Sequence, residues 1–280
     1  MELEANSAIT PIIGAVAGLW RYPVKSMMGE ELETAQLTER GVLGDRAYAV
    51  IDQATGKVAS AKNPRRWPQL FGFSAAYAAP PRAGDALPPV VIGLPGGEAI
   101  RSDSPLINRR LAALLDREVT LACDVPAQPH LEEYWPDLAT LLAHRDEVTD
   151  EAMPPGTFFD CAPIHVLTTA TLARLSELYP EGRFEPRRFR PNLLIASNAG
   201  SAAFPENDWV GRTLAIGAEV QLKISGNTGR CVMTTLAQGG LPRDLAILRT
   251  AATHNQANVG VYATVTRAGL IRPGDSITLV

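Results

Sequence analysis

Glycine and proline interrupt this 280-residue chain throughout, with 23 glycines and 22 prolines. Between these breaks lie short extended runs, of which AYAVID at residues 47–52 and PVVIGL at residues 89–94 are the clearest. Short apolar runs bounded by turn-forming residues are typical of β-strands joined by tight connections. The segment from Ile13 to about Leu94 is therefore predicted to form a small β-domain.

A second set of strands is predicted in the final third of the chain. Apolar residues alternate with other residues at 220–224 and at 259–265, and again at 277–279 after an Arg-Pro-Gly-Asp turn. Alternation places every second side chain on the same face of a strand. These runs predict a second β-barrel or sandwich, so the expected fold class is mixed, β-rich α+β.

Two amphipathic helices are expected beside these strands. Residues 103–105, Asp-Ser-Pro, have the composition of a capped helix start with proline in the first turn. Apolar residues then recur at helical spacing, at Leu106, Ile107, Leu111, Leu114 and Leu115. Farther along, residues 164–167 are a strand candidate, and Thr168 or Thr169 could cap the helix that follows. The apolar face of that second helix would consist of Leu172, Leu175 and Leu178.

A polar segment punctuated by proline divides the chain at about residues 126–155, and it includes a charged run at residues 144–151. A domain boundary is therefore predicted near residues 120–125. The resulting division is an N-terminal tail at 1–12, a first domain at 13–122 and a second domain at 123–280.

Charge and cysteine content limit the possible partners and compartments. The formal net charge is −4, and no long run carries charges of a single sign, which disfavours a nucleic-acid partner. Cys123, Cys161 and Cys231 are an odd number and lie far apart, which argues against a disulfide framework and for a reducing compartment. The N-terminus lacks a basic region, and its apolar stretch is too short to span a membrane, so a cytoplasmic protein is expected.

The sequence lacks the common cofactor signatures. It contains no G-x-G-x-x-G after a strand, no G-x-x-x-x-G-K-[ST] and no H-E-x-x-H, so ordinary nucleotide and zinc sites are not predicted. The four histidines, His130, His144, His165 and His254, stand isolated in the sequence. Each is expected to be structural or exposed, because no neighbouring residue suggests a ligand set.

Two short clusters in the first domain have both a functional and a structural interpretation. In YPVKS, residues 22–26, a proline-fixed extended segment presents Lys25 beside Ser26, as an anion-binding edge would; the alternative is an exposed lysine after a strand. In GVLGDR, residues 41–46, two glycines bracket a turn that ends in an Asp-Arg pair. The alternative for that pair is an exposed hairpin salt bridge, a kind that contributes less than about 1 kcal/mol.

A third cluster, RRFRPN at residues 187–192, places three arginines within four positions of an acidic protein. Their charges repel one another unless an anion or carboxylates lie between them. The planar guanidinium suits bidentate binding of phosphate or carboxylate. A solvated basic loop is the alternative.

The fourth cluster, GNTGRCVMTT at residues 226–235, follows the strand predicted at residues 220–224. Glycine lets a backbone approach a ligand closely, and Arg230 is expected to lower the pKa of the Cys231 thiol and favour the thiolate. A thiolate suits a soft metal centre. An isolated cysteine is also common as a small buried apolar residue, so both interpretations stay open.

Taken together and in this order, the four clusters resemble the MOSC family. The resemblance is to its two-domain members with an N-terminal β-barrel domain, such as the mitochondrial amidoxime-reducing component and its bacterial relatives. It spans about residues 15–280 and is carried by YPVKS, GDRAY, FRPN and GRC-x-x-TT. It implies an N-terminal β-barrel-like domain followed by a MOSC β-barrel domain with flanking helices.

The same resemblance implies a molybdenum–molybdopterin cofactor and the residues that hold it. Cys231 becomes the protein ligand to molybdenum and the catalytic residue. The cofactor-binding residues implied are Lys25, Ser26, Arg46, Arg190, Asn192, Gly229, Arg230 and Cys231. Lys25 and Ser26 fall where the family contacts the phosphate region of the pterin. The chain departs from the family at Cys161-Ala162-Pro163, where the relatives have a threonine-serine pair before proline, and this puts side-chain contacts there in doubt.

The function implied is that of an oxidoreductase that removes oxygen from N-hydroxylated small molecules. Since the chain has no flavin or nicotinamide signature, the electrons are expected from a separate protein of the ferredoxin or cytochrome/flavin reductase type. A non-catalytic carrier of sulfur or molybdenum cofactor on Cys231 is the alternative. A cysteine hydrolase is a third possibility, and it would need His165 or His254 beside Cys231.

Overall fold

The computed structural model describes residues 11–138, 146–198 and 200–280. The strands are β1 (Ile12–Arg21), β2 (Glu30–Glu31), β3 (Ala35–Thr38), β4 (Gly41–Val42), β5 (Ala49–Asp52), β6 (Ser74–Tyr77), β7 (Val90–Gly93), β8 (Ala99–Arg101), β9 (Val119–Ala122), β10 (His130–Trp135), β11 (Glu147–Ala152), β12 (Ile164–Thr168), β13 (Leu193–Ser197), β14 (Thr213–Ile216), β15 (Val220–Gly229), β16 (Asn258–Arg267), β17 (Gly269–Ile271) and β18 (Ser276–Leu279). The helices are α1 (Ile107–Leu115), α2 (Thr169–Leu178), α3 (Pro186–Phe189) and α4 (Ala246–Asn255).

A closed barrel of seven strands forms the C-terminal part of the fold. Its strand order is β13-β12-β16-β15-β14-β18-β1, and β1 also pairs with β13, which closes the ring. Each pairing is antiparallel except that of β12 with β13. Alternating residues of these strands, such as Leu222, Ile224 and Val261, fill the interior. The strands predicted in the final third are confirmed.

The first domain contributes a second core beside the barrel. The sheet β6-β7-β8, the pair β5-β9 and helix α1 enclose it, and β5 and β7 are the two strands predicted most clearly. This core includes Trp67 and Phe73 from the first domain, and also Cys231 and Met233 from the second. The prediction of a β-rich α+β fold is confirmed.

Both predicted helices are present, with small differences at their starts. Helix α1 begins two residues after Pro105 and buries Ile107, Leu111 and Leu115, whereas Leu106 is 54 % exposed and lies outside the apolar face. At α2 the Thr168 hydroxyl accepts a hydrogen bond from the backbone N–H of Thr171 at 3.1 Å. Thr168 is therefore the capping residue, and Thr169 is the first residue of the helix.

The two parts of the chain are joined by strand pairing. Strand β1 belongs to the barrel, and β3 pairs with β17 of the second domain. The division at residues 122 and 123 stays a prediction, and the predicted tail lies outside the described residues up to residue 10. The polar segment at 126–155 contains the antiparallel hairpin β10-β11, which its charged composition did not predict. Among the described residues, no helix is both long and apolar enough to cross a membrane.

Gly260 permits the close approach of β16 to β12. Its φ is +88°, and a Cβ at this position would meet the His165 ring and lie 2.5 Å from the carbonyl oxygen of Val166. Gly84 has the same φ of +88°, but a Cβ there would have no neighbour within 4 Å. Comparing substitutions at these two glycines therefore distinguishes the cost of backbone strain from the cost of steric overlap.

We predict that Gly260→Ala lowers the free energy of unfolding by about 1–3 kcal/mol more than Gly84→Ala does. Both variants impose a left-handed backbone on alanine, which costs about 1–2 kcal/mol, but only Gly260→Ala also overpacks the barrel wall. Urea denaturation followed by tryptophan fluorescence measures both losses. Equal losses would show that β12 can move away without cost.

Candidate functional site

A cavity lies between the barrel and the first domain, with about 540 Å³ of empty space, its open mouth included. We call it the cation cavity, because four cationic side chains line it, those of Lys25, Arg46, Arg190 and Arg230. The other lining residues are Ser26, Phe159, Asp160, Cys161, Ala162, His165, Phe189, Asn192, Met233 and Tyr262. Six of the predicted cofactor-binding residues line it. Gly229 and Cys231 do not, although Cys231 adjoins Arg230 in the chain.

The segment after β1 carries Lys25 into the cavity. The backbone N–H of Lys25 donates to the carbonyl oxygen of Tyr48, which fixes the extended segment. The Lys25 ammonium donates to the carbonyl oxygen of Phe158 at 2.8 Å and to Asp160 Oδ1 at 2.6 Å. Lys25 is buried, and this burial lowers its pKa. The interpretation of Lys25 as an exposed lysine is wrong, because a carboxylate and a carbonyl group replace water around the ammonium.

Asp160 lies between two lysines. Its carboxylate is 4.0 Å from the ammonium of Lys62 as well as 2.6 Å from that of Lys25. Burial alone would raise the pKa of Asp160, but the charges of Lys25 and Lys62 outweigh it and hold the pKa well below its usual range. Lys62 also pairs with Glu133 at 2.9 Å. A row of alternating charges thus begins at Lys25 and Asp160 in the cavity lining and continues to Lys62 and Glu133 outside it.

Asp45 fixes the guanidinium of Arg46 from behind. The buried Asp45 carboxylate accepts hydrogen bonds from the Arg46 guanidinium, from Asn192 Nδ2 at 3.0 Å and from the backbone N–H of Tyr22 at 2.7 Å. Asn192 also donates to the carbonyl oxygen of Trp20 and accepts from the backbone N–H of His165. The interpretation of the Asp-Arg pair as an exposed hairpin salt bridge is wrong, since the Asp45 side chain has no solvent exposure.

The ring of Tyr22 lies beside two of the arginines. The guanidinium carbons of Arg46 and Arg190 lie 4.5 Å and 4.1 Å from the centre of the Tyr22 ring. The Tyr22 hydroxyl donates to the carbonyl oxygen of Pro191 at 3.1 Å, and burial raises the pKa of Tyr22 to about 12, which keeps the phenol neutral. Because an aromatic face attracts cations, Tyr22 offsets part of the repulsion between these two guanidiniums.

The three arginines of the third cluster have separate environments. Arg188 has no solvent exposure and donates to the carbonyl oxygens of Arg183, Thr234, Leu236 and Pro242. Arg187 pairs with Glu185 on the surface. Arg190 alone enters the cation cavity, where it donates to the carbonyl oxygen of Met27 at 2.7 Å. The interpretation as a solvated loop is wrong for Arg188 and Arg190, because protein groups take the place of water around both.

Arg230 carries an unused donor in the cavity wall. One of its terminal nitrogens donates to the carbonyl oxygen of Phe189 at 2.9 Å, but its buried Nε has no hydrogen-bond partner. A buried donor without a partner costs free energy, so a ligand that accepts from it is favoured. This orphaned donor points to an acceptor group that the protein itself does not supply.

Cys231 is 7 % exposed and precedes the short 3-10 turn Val232–Thr235. Burial raises the pKa of Cys231 to about 12, and the charge of Glu133 adds to this effect. Lys62 and Arg230 lower the pKa, but they offset burial only in part. Arg230 lowers the pKa of Cys231 as expected, but burial outweighs it, so the thiol form is favoured in the protein alone.

The histidines are distributed as follows. His165 lines the cavity, but burial lowers its pKa to about 3, so its ring is neutral, with Nε2 lying 3.1 Å from the carbonyl oxygen of Val259. His130 lies near Asp150 and His254 is exposed, both outside the cavity lining, while His144 lies outside the described residues. In the described part of the chain, no hydrogen bond joins His165 to Cys231, as a cysteine hydrolase would require.

Three lining residues have strained backbones. Ser26, Arg46 and Arg190 have φ values of 63°, 47° and 54°, in the left-handed region that favours glycine. Each such residue costs on the order of 1–3 kcal/mol, and the strain persists only where surrounding contacts fix it. The backbone that presents these side chains is thus already held in place by the fold.

The residues present fit an anionic ligand with several acceptor groups. The cavity lining carries four cationic side chains and one carboxylate, that of Asp160, and the unused Arg230 Nε adds a free donor. The oxygen atoms of a phosphate group accept strong, charge-assisted hydrogen bonds from such donors. Asp160, Lys62 and Glu133 were not singled out as site residues from the sequence, because each reaches the site through contacts that no local pattern encodes. Tyr22 lies within the YPVKS motif, but no role was predicted for it.

Comparison with known proteins gives two family matches. The family model for the MOSC domain matches residues 154–278, and the model for the MOSC N-terminal beta barrel domain matches residues 13–102. Mitochondrial amidoxime-reducing component 1 of Homo sapiens is 26 % identical over 307 residues, covering 96 % of this chain and 83 % of that protein. Mitochondrial amidoxime reducing component 2 of Bos taurus is 26 % identical over 298 residues, covering 95 % of this chain and 83 % of that protein. Among solved structures, the YUAD protein from Bacillus subtilis is 12 % identical, covers 96 % of both chains and has a TM-score of 0.47.

Proposed function

Since the chain belongs to the MOSC family, with a MOSC domain that follows a MOSC N-terminal β-barrel domain, we propose that it holds a molybdenum–molybdopterin cofactor in the cation cavity. We further propose that it uses this cofactor to reduce N-hydroxylated compounds. The observation that carries the proposal is the convergence of four cationic side chains on one cavity in a chain of net charge −4.

The predicted cofactor-binding residues divide into those that would contact the cofactor and one that would orient such a contact. Lys25, Arg46, Arg190 and Arg230 would supply the charge that the terminal phosphate requires. Ser26 accepts from the backbone N–H of Ala61 at 3.1 Å, so its hydroxyl hydrogen is available to a ligand. Asn192 uses both of its amide hydrogens on protein groups, and its role would be to orient Arg46.

Cys231 would bind the metal as a thiolate. Burial raises the pKa of Cys231, and the charges of Lys62 and Arg230 offset this only in part; a metal ion would supply further positive charge and stabilise the thiolate. The backbone of Gly229, with no neighbour within 4 Å of a Cβ placed there, leaves open space beside Arg230. When bound, the molybdenum centre would supply the two-electron chemistry that removes the oxygen atom from an N-hydroxyl group.

The reaction must balance in electrons and protons. Conversion of an N–OH group to N–H consumes two electrons and two protons and releases water. His165 is neutral and Asp160 is held as a carboxylate, so both are poor proton donors, and the protons would come from solvent at the cavity mouth. The electrons would come from a separate protein, of the ferredoxin or cytochrome/flavin reductase type.

A cytoplasmic location is part of the proposal. The three cysteines are free thiols, and Cys123 and Cys161 are exposed. Exposed free thiols are typical of a reducing compartment.

We predict that wild-type protein, purified from a host that makes the cofactor, contains near-stoichiometric molybdenum and pterin. Cys231→Ser should lose most of the molybdenum, because a serine hydroxyl is a poor ligand for a soft metal. Cys123→Ser should keep it, because Cys123 lies outside the cation cavity. Elemental analysis and fluorescence of the oxidised pterin measure both components.

Reduction of hydroxylamine and benzamidoxime with a chemical reductant tests the activity in the same preparations. Activity that follows the molybdenum content supports the proposal. A stable sulfur adduct on Cys231 without molybdenum would instead favour a carrier. Protein with neither molybdenum nor pterin would contradict the proposal.

We also predict that Arg190→Gln lowers cofactor affinity at least about tenfold, since a charge-assisted hydrogen bond contributes about 1.5–3 kcal/mol. Arg187→Gln is the matched control, because Arg187 lies three residues away and pairs with Glu185 on the surface. Molybdenum retained after extended dialysis measures the difference. Equal retention in the two variants would show that Arg190 does not contact the cofactor, and thermal melting of both variants checks their folding.

A further inference from the structure

Cys161 lies at the mouth of the cation cavity. It belongs to the cavity lining and is also exposed to solvent. Cys231 differs in both respects, since it is buried and lies outside the lining. The proposed mechanism uses Cys231 and leaves Cys161 without a role. A reagent from solvent can reach the Cys161 thiol while its other groups enter the cavity.

The backbone on both sides of Cys161 is held in place. Before it, the Lys25 ammonium donates to the carbonyl oxygen of Phe158 at 2.8 Å and to Asp160 Oδ1 at 2.6 Å. After it, strand β12 begins at Ile164 and forms part of the barrel wall. Cys161 therefore has a fixed place, next in the chain to the carboxylate that holds Lys25.

Arg230 offers an unused donor to the same cavity. Its side chain belongs to a residue that is 8 % exposed, and its buried Nε has no hydrogen-bond partner among the described residues. Tyr262, which also lines the cavity, lies within electrostatic reach of both Arg230 and Cys161. Burial raises the pKa of Tyr262, the charge of Arg230 lowers it, and a negative charge on Cys161 raises it. The free donor and the exposed thiol thus lie near the same phenol.

The charge of the cavity lining favours an anion. Four cationic side chains and one carboxylate line the cavity, and that carboxylate, Asp160, already pairs with Lys25. A cleft with such an excess of one sign raises the local concentration of small ions of the opposite sign. An anionic reagent is therefore expected to reach Cys161 faster than a cationic one.

Cys123 provides the comparison within the same chain. It is exposed as well, but it lines a different concavity, in which the charges balance. The charged residues of that lining are two arginines and two aspartates, Arg40, Arg46, Asp45 and Asp85. The two cysteines therefore differ in the charge around them rather than in their access to solvent.

We infer that Cys161 is a modification site, at which small thiol compounds that carry carboxylate groups become attached through a mixed disulfide. The attached carboxylate lies in the cation cavity and accepts a hydrogen bond from Arg230. The cofactor phosphate would need the same cations, so the adduct and the cofactor exclude each other. This exclusion rests on the proposed function, whereas formation of the adduct does not.

The chemical step is a thiol–disulfide exchange. The Cys161 thiolate attacks one sulfur of a small disulfide, a new S–S bond forms to Cys161, and the original S–S bond breaks. The other half leaves as a thiolate and takes up the proton that Cys161 released. The small disulfide is the oxidant, since it is reduced to a free thiol while Cys161 is oxidised. Excess free thiol reverses the step, so access to the cavity would follow the balance of small thiols and disulfides.

Two disulfide reagents of opposite charge test the inference. In 5,5′-dithiobis(2-nitrobenzoate) each half carries a carboxylate, and in cystamine each half carries an ammonium group. Mass spectrometry over time measures both rates at Cys161 in cofactor-free Cys123→Ser and at Cys123 in cofactor-free Cys161→Ser. The ratio of the anionic to the cationic rate should be at least about tenfold larger at Cys161, and 1 M salt, with a Debye length of about 3 Å, should reduce that difference. Equal ratios at the two cysteines would overturn the inference.

The role of Arg230 has a matched pair of variants. In the Cys123→Ser background, Arg230→Gln should slow the reaction of Cys161 with the anionic reagent about threefold, as expected for one partly solvated charge. Arg187→Gln is the control, because Arg187 pairs with Glu185 on the surface, and it should leave the rate unchanged. Thermal melting checks the folding of both variants. Equal rates in the two variants would overturn the placement of the carboxylate at Arg230.

The cofactor-loaded protein tests the exclusion without measuring activity. Loaded Cys123→Ser should react with the anionic reagent at least about tenfold more slowly than the cofactor-free form, because the phosphate neutralises the cations that attract the reagent. Equal rates in the two forms would overturn the exclusion and contradict the placement of the cofactor in the cation cavity. Loss of the charge preference at Cys161 in the cofactor-free form would instead overturn the modification site and leave the proposed function intact.

Discussion

The repulsion among cations in one buried cavity is the constraint around which the site is built. Four positively charged side chains converge there, and each has protein groups that replace water. Asp45 holds Arg46, Asp160 holds Lys25, and Tyr22 lies beside two guanidiniums. These contacts stabilise each cation in place yet leave the cavity lining with more positive than negative charge. That excess of positive charge favours binding of an anionic ligand. The repulsion between the cations is already overcome when the protein folds, so it does not weaken binding.

Closure of the barrel brings these groups together from distant parts of the sequence. Strand β1 pairs with both β13 and β18, which places the segment after Arg21 beside the segment before Leu193. Asn192 then joins Trp20, Asp45 and His165 through its side chain. Cys231, two residues after the end of β15, packs in the core of the first domain. The fold and the site therefore depend on the same strand pairings.

Much of the fold could be predicted from local patterns. Alternation over residues 259–265 marked β16, and the threonine pair marked the start of α2, because strand periodicity and helix capping are local properties. The hairpin β10-β11 was missed, because its strands carry charges that pair with the first domain rather than an apolar face. Family motifs located six of the cavity residues and also contain Asp45 and Tyr22, but they do not include Phe158 and Asp160, which hold Lys25.

What the sequence could not predict is the environment of each charged group. Arg188 and Arg190 are two residues apart in one basic run, yet Arg188 donates to backbone carbonyl groups, whereas Arg190 faces the cavity. The Cys231 thiol has an adjacent arginine, but burial determines its pKa. Asp160 is separated from Lys25 by 135 residues, and no local pattern records that pair. Burial and long-range contacts, which local composition does not encode, decide these cases.

X-ray absorption at the molybdenum edge tests the central claim most directly, with wild-type protein compared with the minor fraction of Cys231→Ala that still holds molybdenum. If Cys231 binds the metal, the wild type will show one more sulfur neighbour of molybdenum than the variant. The variant should keep the sulfur neighbours contributed by the pterin, because the cation cavity is unchanged. Identical sulfur coordination in the two proteins would contradict the account, since the metal would then be held without the Cys231 thiolate.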